Sequence, residues 1–353
     1  MKILLISPLG FPYNQNLRYG GIERLVGGFA QELIKEHQVT VMGHADSEYA
    51  EGVFLLPTQP QAKDIFLLDE LQQYQSYQHV LRGYDVIHDF SHQHFASRNN
   101  INLPSLNIFW HSPAIAQYPK APYNIIALSN WAAREFKRVY HQEARYQESI
   151  AVDNSVYKLS NKQRTERFLT LGAMTPRKGN LEAAQICKKA GLELDIVGAR
   201  GAGERQGFGE RSYSKEQEAI TDYERSILNL CDGRQIKYLG EVTDEKKIKL
   251  MQTCRALVYV SQEPEVTNHK VQEAMFCGAP VVVSTIGAMP EIVAHGVNGY
   301  LCRSEQDWPE FLKSVHKLRI NDGYCQLVEK YSVPTVCSNY VKLYGEVAGG
   351  LRW

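Results

Sequence analysis

Two glutamates with seven residues between them, Glu265 and Glu273, are the pair in this 353-residue chain whose type and spacing could do chemistry. They lie in the stretch Val258 to Tyr300, VYVSQEPEVTNHKVQEAMFCGAPVVVSTIGAMPEIVAHGVNGY. The apolar residues Ala256 to Val260 read as a strand that ends in a polar loop. Asn268 to Cys277 is helix-compatible, and Gly278 with Pro280 stops it. Pro280 to Val283 is a second apolar run. Strand, loop, helix, strand is the grammar of a parallel α/β sheet. Glu265 then stands at the carboxyl end of a strand, where open sheets of this kind bind ligands. The helix behind it would present free N–H groups and a positive dipole end, a setting suited to a diphosphate.

The residues around this pair resemble the retaining glycosyltransferases of family 4. That family's signature is Glu, seven residues, Glu-Ala-Met, then Gly-x-Pro-Val-Val. It stands here as Glu265, Glu273-Ala274-Met275 and Gly278-Ala279-Pro280-Val281-Val282. Family members continue with a Gly-Gly pair and Pro-Glu, where this chain has Gly287-Ala288 and Pro290-Glu291. The Gly-x-x-Gly ending is present as Gly296 to Gly299. An ordered string of about forty residues points to the family without naming a substrate.

The resemblance implies the GT-B fold, an α/β architecture of two Rossmann-like domains facing an interdomain cleft. It implies an enzyme, a hexosyl- or related glycosyltransferase of glycan biosynthesis. Such an enzyme moves a sugar from a nucleoside-diphosphate sugar, here a UDP- or GDP-sugar, to a hydroxyl on a sugar, lipid-linked or small-molecule acceptor. Configuration is retained by reaction on one face, with the leaving phosphate taking the acceptor proton. No cofactor or metal is required, and the chain has no Asp-x-Asp metal motif.

Site residues follow from the same likeness. Carboxylates only accept hydrogen bonds, which suits hydroxyls; Glu273 would bind the donor ribose and Glu265 the hydroxyls of the donor sugar. Lys178, in the Lys178-Gly179 pair after the strand Phe168 to Gly172, would neutralise the diphosphate. His111, ending the strand Leu106 to Trp110, would stand beside the donor sugar. Backbone N–H groups near Asn268 would add anion stabilisation. Gly20 and Gly21 would face the donor phosphates and the acceptor. They separate a strand, Lys2 to Ser7, from a helix marked by Ile22, Leu25, Val26, Phe29, Leu33 and Ile34, and a plain tight turn explains the pair equally well. Two departures stand out. The family's Phe-Gly is Thr267-Asn268, and the arginine that shares the diphosphate with the lysine is Ala173. Arg177, five residues after Gly172, is the nearest replacement; a solvated loop arginine is the alternative.

The elements that must position these residues read as two successive α/β sets. The signals give an acceptor-side domain over residues 1–157 and a nucleotide-sugar domain over 165–332, joined by the polar stretch Lys158 to Arg167. A helix over about 333–353 crosses back onto the first domain, as the family's terminal helix does. Asp46 to Pro60 is polar, Asp64 to Arg82 reads as one helix, and Ala199 to Ser214 as a mobile loop near the cleft. His88, His92 and His94 cluster after a strand; strand-end packing explains them better than a metal, because no third-ligand spacing accompanies them.

Lys+Arg and Asp+Glu both number 39, so there is no basic excess and no case for nucleic acid. Residues 1–150 carry 12 Lys/Arg against 14 Asp/Glu, a net of −2, which leaves membrane association at most peripheral. Seven cysteines without Cys-x-x-Cys spacing read as reduced thiols. Met1 to Ser7 is too short for a signal segment, so a cytoplasmic protein is expected. Two other classes share these features: a non-catalytic sugar-nucleotide-binding protein, and a related GT-B enzyme such as a nucleotide-sugar epimerase.

Overall fold

Short apolar runs become strands here, and most are followed by a helix that covers one face of the sheet they build. The structure, a computed structural model, describes residues 1–14, 20–58, 67–99, 103–110, 123–200, 215–318 and 320–353. It divides into two units, one of Met1–Asp153 with Lys330–Trp353 and one of Asn154–Glu329.

The first unit runs β1 (Lys2–Ile6), α1 (Gly21–Leu33), β2 (Gln38–His44), β3 (Phe54–Thr58), α2 (Leu67–Gln75), β4 (Val86–Asp89), α3 (Phe95–Asn99), β5 (Ser105–Phe109), β6 (Ile125–Ala127), α4 (Asn130–Tyr140) and β7 (Arg145–Tyr146). Among the described residues its strands form one parallel sheet in the order β3-β2-β1-β4-β5-β6-β7. The second unit runs β8 (Phe168–Leu171), α5 (Asn180–Lys189), β9 (Leu194–Val197), α6 (Lys215–Leu230), β10 (Ile236–Tyr238), α7 (Asp244–Thr253), β11 (Leu257–Tyr259), α8 (His269–Phe276), β12 (Val281–Ser284), α9 (Met289–Ile292), β13 (Gly299–Cys302), α10 (Asp307–Ser314) and α11 (Ile320–Tyr331). Its parallel sheet has the order β10-β9-β8-β11-β12-β13. Both are Rossmann-like, doubly wound sheets, as expected from the sequence. The winding reverses between β1 and β4 in one and between β8 and β11 in the other. At such a switch point the neighbouring connections leave in opposite directions and open a crevice at the strand ends.

Burial on both faces explains why the strands read as continuous apolar runs rather than alternating ones. In the second unit Phe168, Leu194, Ile196, Val258 and Val282 pack with Ala183 and Ala184 of α5. Each large side chain so buried contributes about 1.5–3 kcal/mol. The first unit is completed by α12 (Val333–Ala348), which returns from the far side of the second unit in sequence. Its buried residues include Cys337, Tyr340, Leu343 and Tyr344. Tyr340 meets Phe29 of α1 edge-on at 5.3 Å and stacks on His88 at 4.5 Å, while the Tyr344 hydroxyl lies 2.7 Å from His88 Nδ1. His88 is thus a core residue, and burial drives its pKa well below the ordinary value. Among the described residues no group of three His, Cys, Asp or Glu could hold a metal ion. None of the described helices is long and apolar enough to cross a membrane.

Two local readings need correction. The helix expected over Asp64 to Arg82 is α2 followed by a separate 3-10 turn, Gln78–Gly83, with Ser76 and Tyr77 between them. The polar stretch Asp46 to Pro60 contains the edge strand β3, whose Pro57 an edge position tolerates because one side makes no ladder bond. Residues 201–214 of the glycine-rich stretch lie outside the described residues.

Candidate functional site

The second unit brings its charged residues to the β8/β11 switch point. From β8 the chain runs through Gly172 and Ala173 into a 3-10 turn, Pro176–Lys178, which ends at Gly179 in the left-handed region with φ +66°. Buried Asn180 ties this loop down, its Nδ2 donating to the carbonyls of Gly172 at 3.2 Å and Ala173 at 3.0 Å. From β11 the chain runs through Ser261 to Glu265 and into α8. Asn268 caps that helix, its Oδ1 accepting from the Val271 N–H at 3.1 Å. This is what the Thr267-Asn268 departure does: an Asx cap replaces a glycine entry.

Glu265 is the centre of the arrangement. Lys178 Nζ donates to its Oε1 as an ion pair, and the two side chains are only 17% and 10% exposed. The Tyr259 hydroxyl lies 3.0 Å from Oε1 and 2.9 Å from Oε2, and Asn268 Nδ2 donates to Oε2 at 2.6 Å. Burial pushes this carboxyl up, yet Lys178, Lys270 and the Tyr259 hydroxyl together hold it below its ordinary value. The same neighbourhood drives the Tyr259 hydroxyl far upward, chiefly by burial and then by the Glu265 charge. Glu265 is therefore an ionised, oriented acceptor.

Its backbone is held from behind. The Ala288 N–H donates to the Glu265 carbonyl at 2.9 Å. Gly287, at φ +60°, packs so closely that a Cβ there would meet Glu265 O at 2.5 Å and N at 2.6 Å. The Gly287-Ala288 pair is thus the rest on which Glu265 sits. Gly287→Ala is expected to lower stability by about 2–4 kcal/mol and to displace Glu265; thermal unfolding with turnover measured beside it checks this, and wild-type values in both would refute the packing role.

Glu273 occupies the second turn of α8 and faces α7. Its Oε2 is 3.3 Å from Lys247 Nζ, which also donates to the Tyr157 hydroxyl at 2.9 Å. The expected residues therefore separate into groups. Glu265, Lys178 and Asn268 converge; Glu273 pairs with Lys247; Arg177 is exposed, its carbonyl accepting from the Gln262 N–H at 3.2 Å. Gly20 and Gly21 belong to the first unit, where Gly20 caps α1 at φ +128°, a value only glycine adopts readily, and Gly21 is open around its Cα. His111 lies outside the described residues.

Sequence reasoning missed Tyr259, Lys247 and Lys270. Tyr259 ends a strand that reads as pure core, and its hydroxyl role needs the chain to turn back within six residues. Lys270 is the second residue of α8, and its Nζ lies 3.3 Å from where a Cβ on Gly172 would be. Burial first, and then the Lys178 charge, lower its pKa to about 7. A helix start with a lysine in it was the available signal.

The sequence model of the family described as Glycosyl transferases group 1 matches residues 153–341, more than half of the chain. A probable sucrose-phosphate synthase of Thermosipho melanesiensis is 24% identical over 135 residues, 36% of this chain but only 32% of that protein. Among solved structures, the sucrose-phosphate synthase of Thermosynechococcus elongatus superposes with a TM-score of 0.78 at 16% identity, covering 99% of this chain and 100% of its own. The Anabaena protein HepE, solved in complex with UDP and glucose, gives 0.71 at 18% identity over 98% of this chain and 100% of its own. At these identities the structural matches speak for the fold, that of the GT-B glycosyltransferases. The family match is to the stretch that folds as the second unit and enters α12, and on it this chain belongs to the glycosyl transferases group 1 family.

Proposed function

We propose that the protein is a retaining glycosyltransferase of family 4. It moves a sugar from a nucleoside-diphosphate sugar to a hydroxyl of a glycan, glycolipid or small molecule, without a metal. The observation that carries this reading is the meeting of Lys178 and Glu265 at the β8/β11 switch point, with the N-terminus of α8 beside them. Glycosyl transfer builds positive charge at the anomeric carbon and negative charge on the departing diphosphate. Lys178 and the free N–H groups of α8 stabilise that diphosphate in this reading. Glu265 accepts from the donor sugar's hydroxyls and orients the reacting carbon. The bond from the anomeric carbon to the diphosphate oxygen breaks, its electron pair leaving with the phosphate. The acceptor oxygen bonds to the same face, and its proton passes to the departing phosphate. His111 and the Gly20-Gly21 turn serve the donor sugar and its phosphates, and Arg177 is the further candidate at the diphosphate. A UDP- or GDP-sugar is the donor class; HepE, of like fold, has been solved with UDP-glucose. The protein acts in the cytoplasm, at most peripheral to a membrane.

The test is ligand-induced thermal shift with UDP-, GDP- and ADP-sugars, followed by transfer assays on the donor that binds. Product of retained anomeric configuration, formed equally with chelator present, supports the reading; inverted product or loss of activity with chelator refutes the mechanism. Ala173 favours a second reading, a sugar-nucleotide binder without catalysis, which predicts binding with neither transfer nor donor hydrolysis.

The two carboxylates should separate kinetically. Glu273→Ala is expected to weaken nucleotide binding about tenfold or more, since a ribose contact forms in the ground state. Glu265→Ala should act mainly on turnover, because it positions the reacting sugar. Titration calorimetry of both variants checks this, and equal losses of nucleotide affinity would count against these roles.

A further inference from the structure

The charge balance at the switch point leaves a question that Lys178 alone does not answer. Its ammonium is ion-paired to Glu265, so much of its charge is already compensated. Ala173 stands where the sequence comparison expects a second cation, and Arg177 is exposed in the 3-10 turn. Lys270 comes from the other side of the crevice. Gly172 has no side chain, and over its bare Cα two lysines converge: Lys178 with its Cβ and Cγ, and Lys270 with its Nζ, all 3.3–3.4 Å from the position a Cβ would take. Lys270 Nζ makes no hydrogen bond or ion pair among the described residues.

We infer that Lys270 is the second cation for the donor diphosphate, entering from the N-terminus of α8 to the backbone of Gly172-Ala173. This rests on the donor reading above and adds a diphosphate-binding residue to it. The position is costly for a lysine in three independent ways. It is the second residue of a helix, where the dipole favours anions. It has another ammonium, Lys178, as neighbour. It is largely removed from water. An anion bearing two charges relieves all three at once, while nearby Glu265 is already shared by Lys178, Tyr259 and Asn268. Gly172 is then more than a turn residue: its missing side chain leaves the ground on which both lysines reach the phosphates.

The experiment is titration calorimetry with UDP, GDP and ADP, each beside its nucleoside. The proteins are wild type, Lys270→Gln, Lys270→Arg and Arg177→Ala. Lys270→Gln is expected to weaken the nucleoside diphosphate that binds by roughly tenfold or more while leaving the nucleoside within about twofold. Lys270→Arg should restore most of the loss; a larger loss of diphosphate affinity in Arg177→Ala than in Lys270→Gln would give the place to Arg177 and overturn the inference. If Lys270→Gln loses the nucleoside too, Lys270→Met replaces it as the uncharged variant of similar length.

A second readout needs no loss of affinity. The Lys270 pKa of about 7 is set by burial and by Lys178 and Lys247, which lower it, against Glu265 and Glu273, which raise it. A bound diphosphate would lift it, so binding at pH 8 should take up protons in the wild type and not in Lys270→Arg, whose guanidinium is always charged. Buffers of differing ionisation enthalpy report this directly. Unchanged diphosphate affinity in the uncharged variants overturns the inference and leaves the donor reading intact. A wild type that binds none of the three nucleoside diphosphates overturns both.

Discussion

Lys178→Met is expected to reduce glycosyl transfer by about 100- to 1,000-fold, the usual effect of deleting one preorganised donor at a developing anion. The substitution keeps most of the side chain's apolar stem and removes the ammonium, both its charge and its N–H donors. It has a second consequence, because Lys178 is also the counter-ion of Glu265. Tyr259, Asn268 and the Lys270 charge remain, so the cost to stability at pH 7 should be about 1–3 kcal/mol rather than the larger cost of an abandoned buried charge. The sign of its pH dependence follows from Glu265, whose folded-state pKa is held down. That contribution is present above the unfolded carboxylate pKa of about 4.3 and is lost as pH falls through the lower folded value. The deficit of Lys178→Met should therefore narrow in acid. Unfolding at pH 7 and in acid, together with steady-state kinetics, checks both parts; transfer within tenfold of wild type would remove Lys178 from the chemistry.

Gly179→Ala should be among the most damaging single methyls in the described part of the second unit. The residue has φ +66°, which by itself costs an alanine about 1–2 kcal/mol. The added Cβ would also fall on the carbonyl oxygen of Val260, at the end of β11, well inside contact distance. Backbone cannot swing aside as a side chain can, so the β8 loop and the β11 end must part. A loss of about 4 kcal/mol or more is expected, enough to prevent this unit from folding at 37 °C. Gly191 and Gly233 supply the internal control. Their φ values are +70° and +72°, but a Cβ at either meets nothing within 4 Å, so alanine there should cost only the backbone strain. Calorimetric melting of the three variants separates close approach from strain; equal shifts in all three would show that the Val260 contact does not matter.

Much of this was legible because the second unit announces itself locally. The strand-loop-helix grammar of Ala256 to Val283 needs no tertiary information, and Asn268 is a helix start by residue type alone. What could not be read is contact between distant segments. Lys178 and Glu265 are 87 residues apart and meet only because β8 pairs with β11 in a parallel sheet. Nothing in Pro176-Arg177-Lys178 says which of its two cations turns inward. The 3-10 turn decides that, leaving Arg177 exposed and Lys178 partly buried. Lys270 was hidden for a further reason: a lysine in the first turn of a helix looks like a solvated residue, and only the bare Gly172 opposite gives it a place. In the first unit the apparent single helix after Asp64 concealed a break, because no Gly or Pro marks a stop before Gly83 and the 3-10 turn shows no period of its own.

The first unit is built from two stretches of chain with the whole second unit between them. Phe29 and His88, made early, wait for Tyr340 and Tyr344 before their rings are covered. Likewise Asn124 exchanges hydrogen bonds with Trp353, its N–H donating to the Trp353 carbonyl at 3.1 Å and its Oδ1 accepting from the Trp353 N–H at 3.0 Å. The second unit is contiguous and can close as soon as it has been synthesised. The first begins at the ribosome earlier and finishes later. During synthesis the Phe29–His88 part of its core therefore stays uncovered for the time needed to make the entire other unit, and the order in which the two bodies are completed is the reverse of the order in which they start.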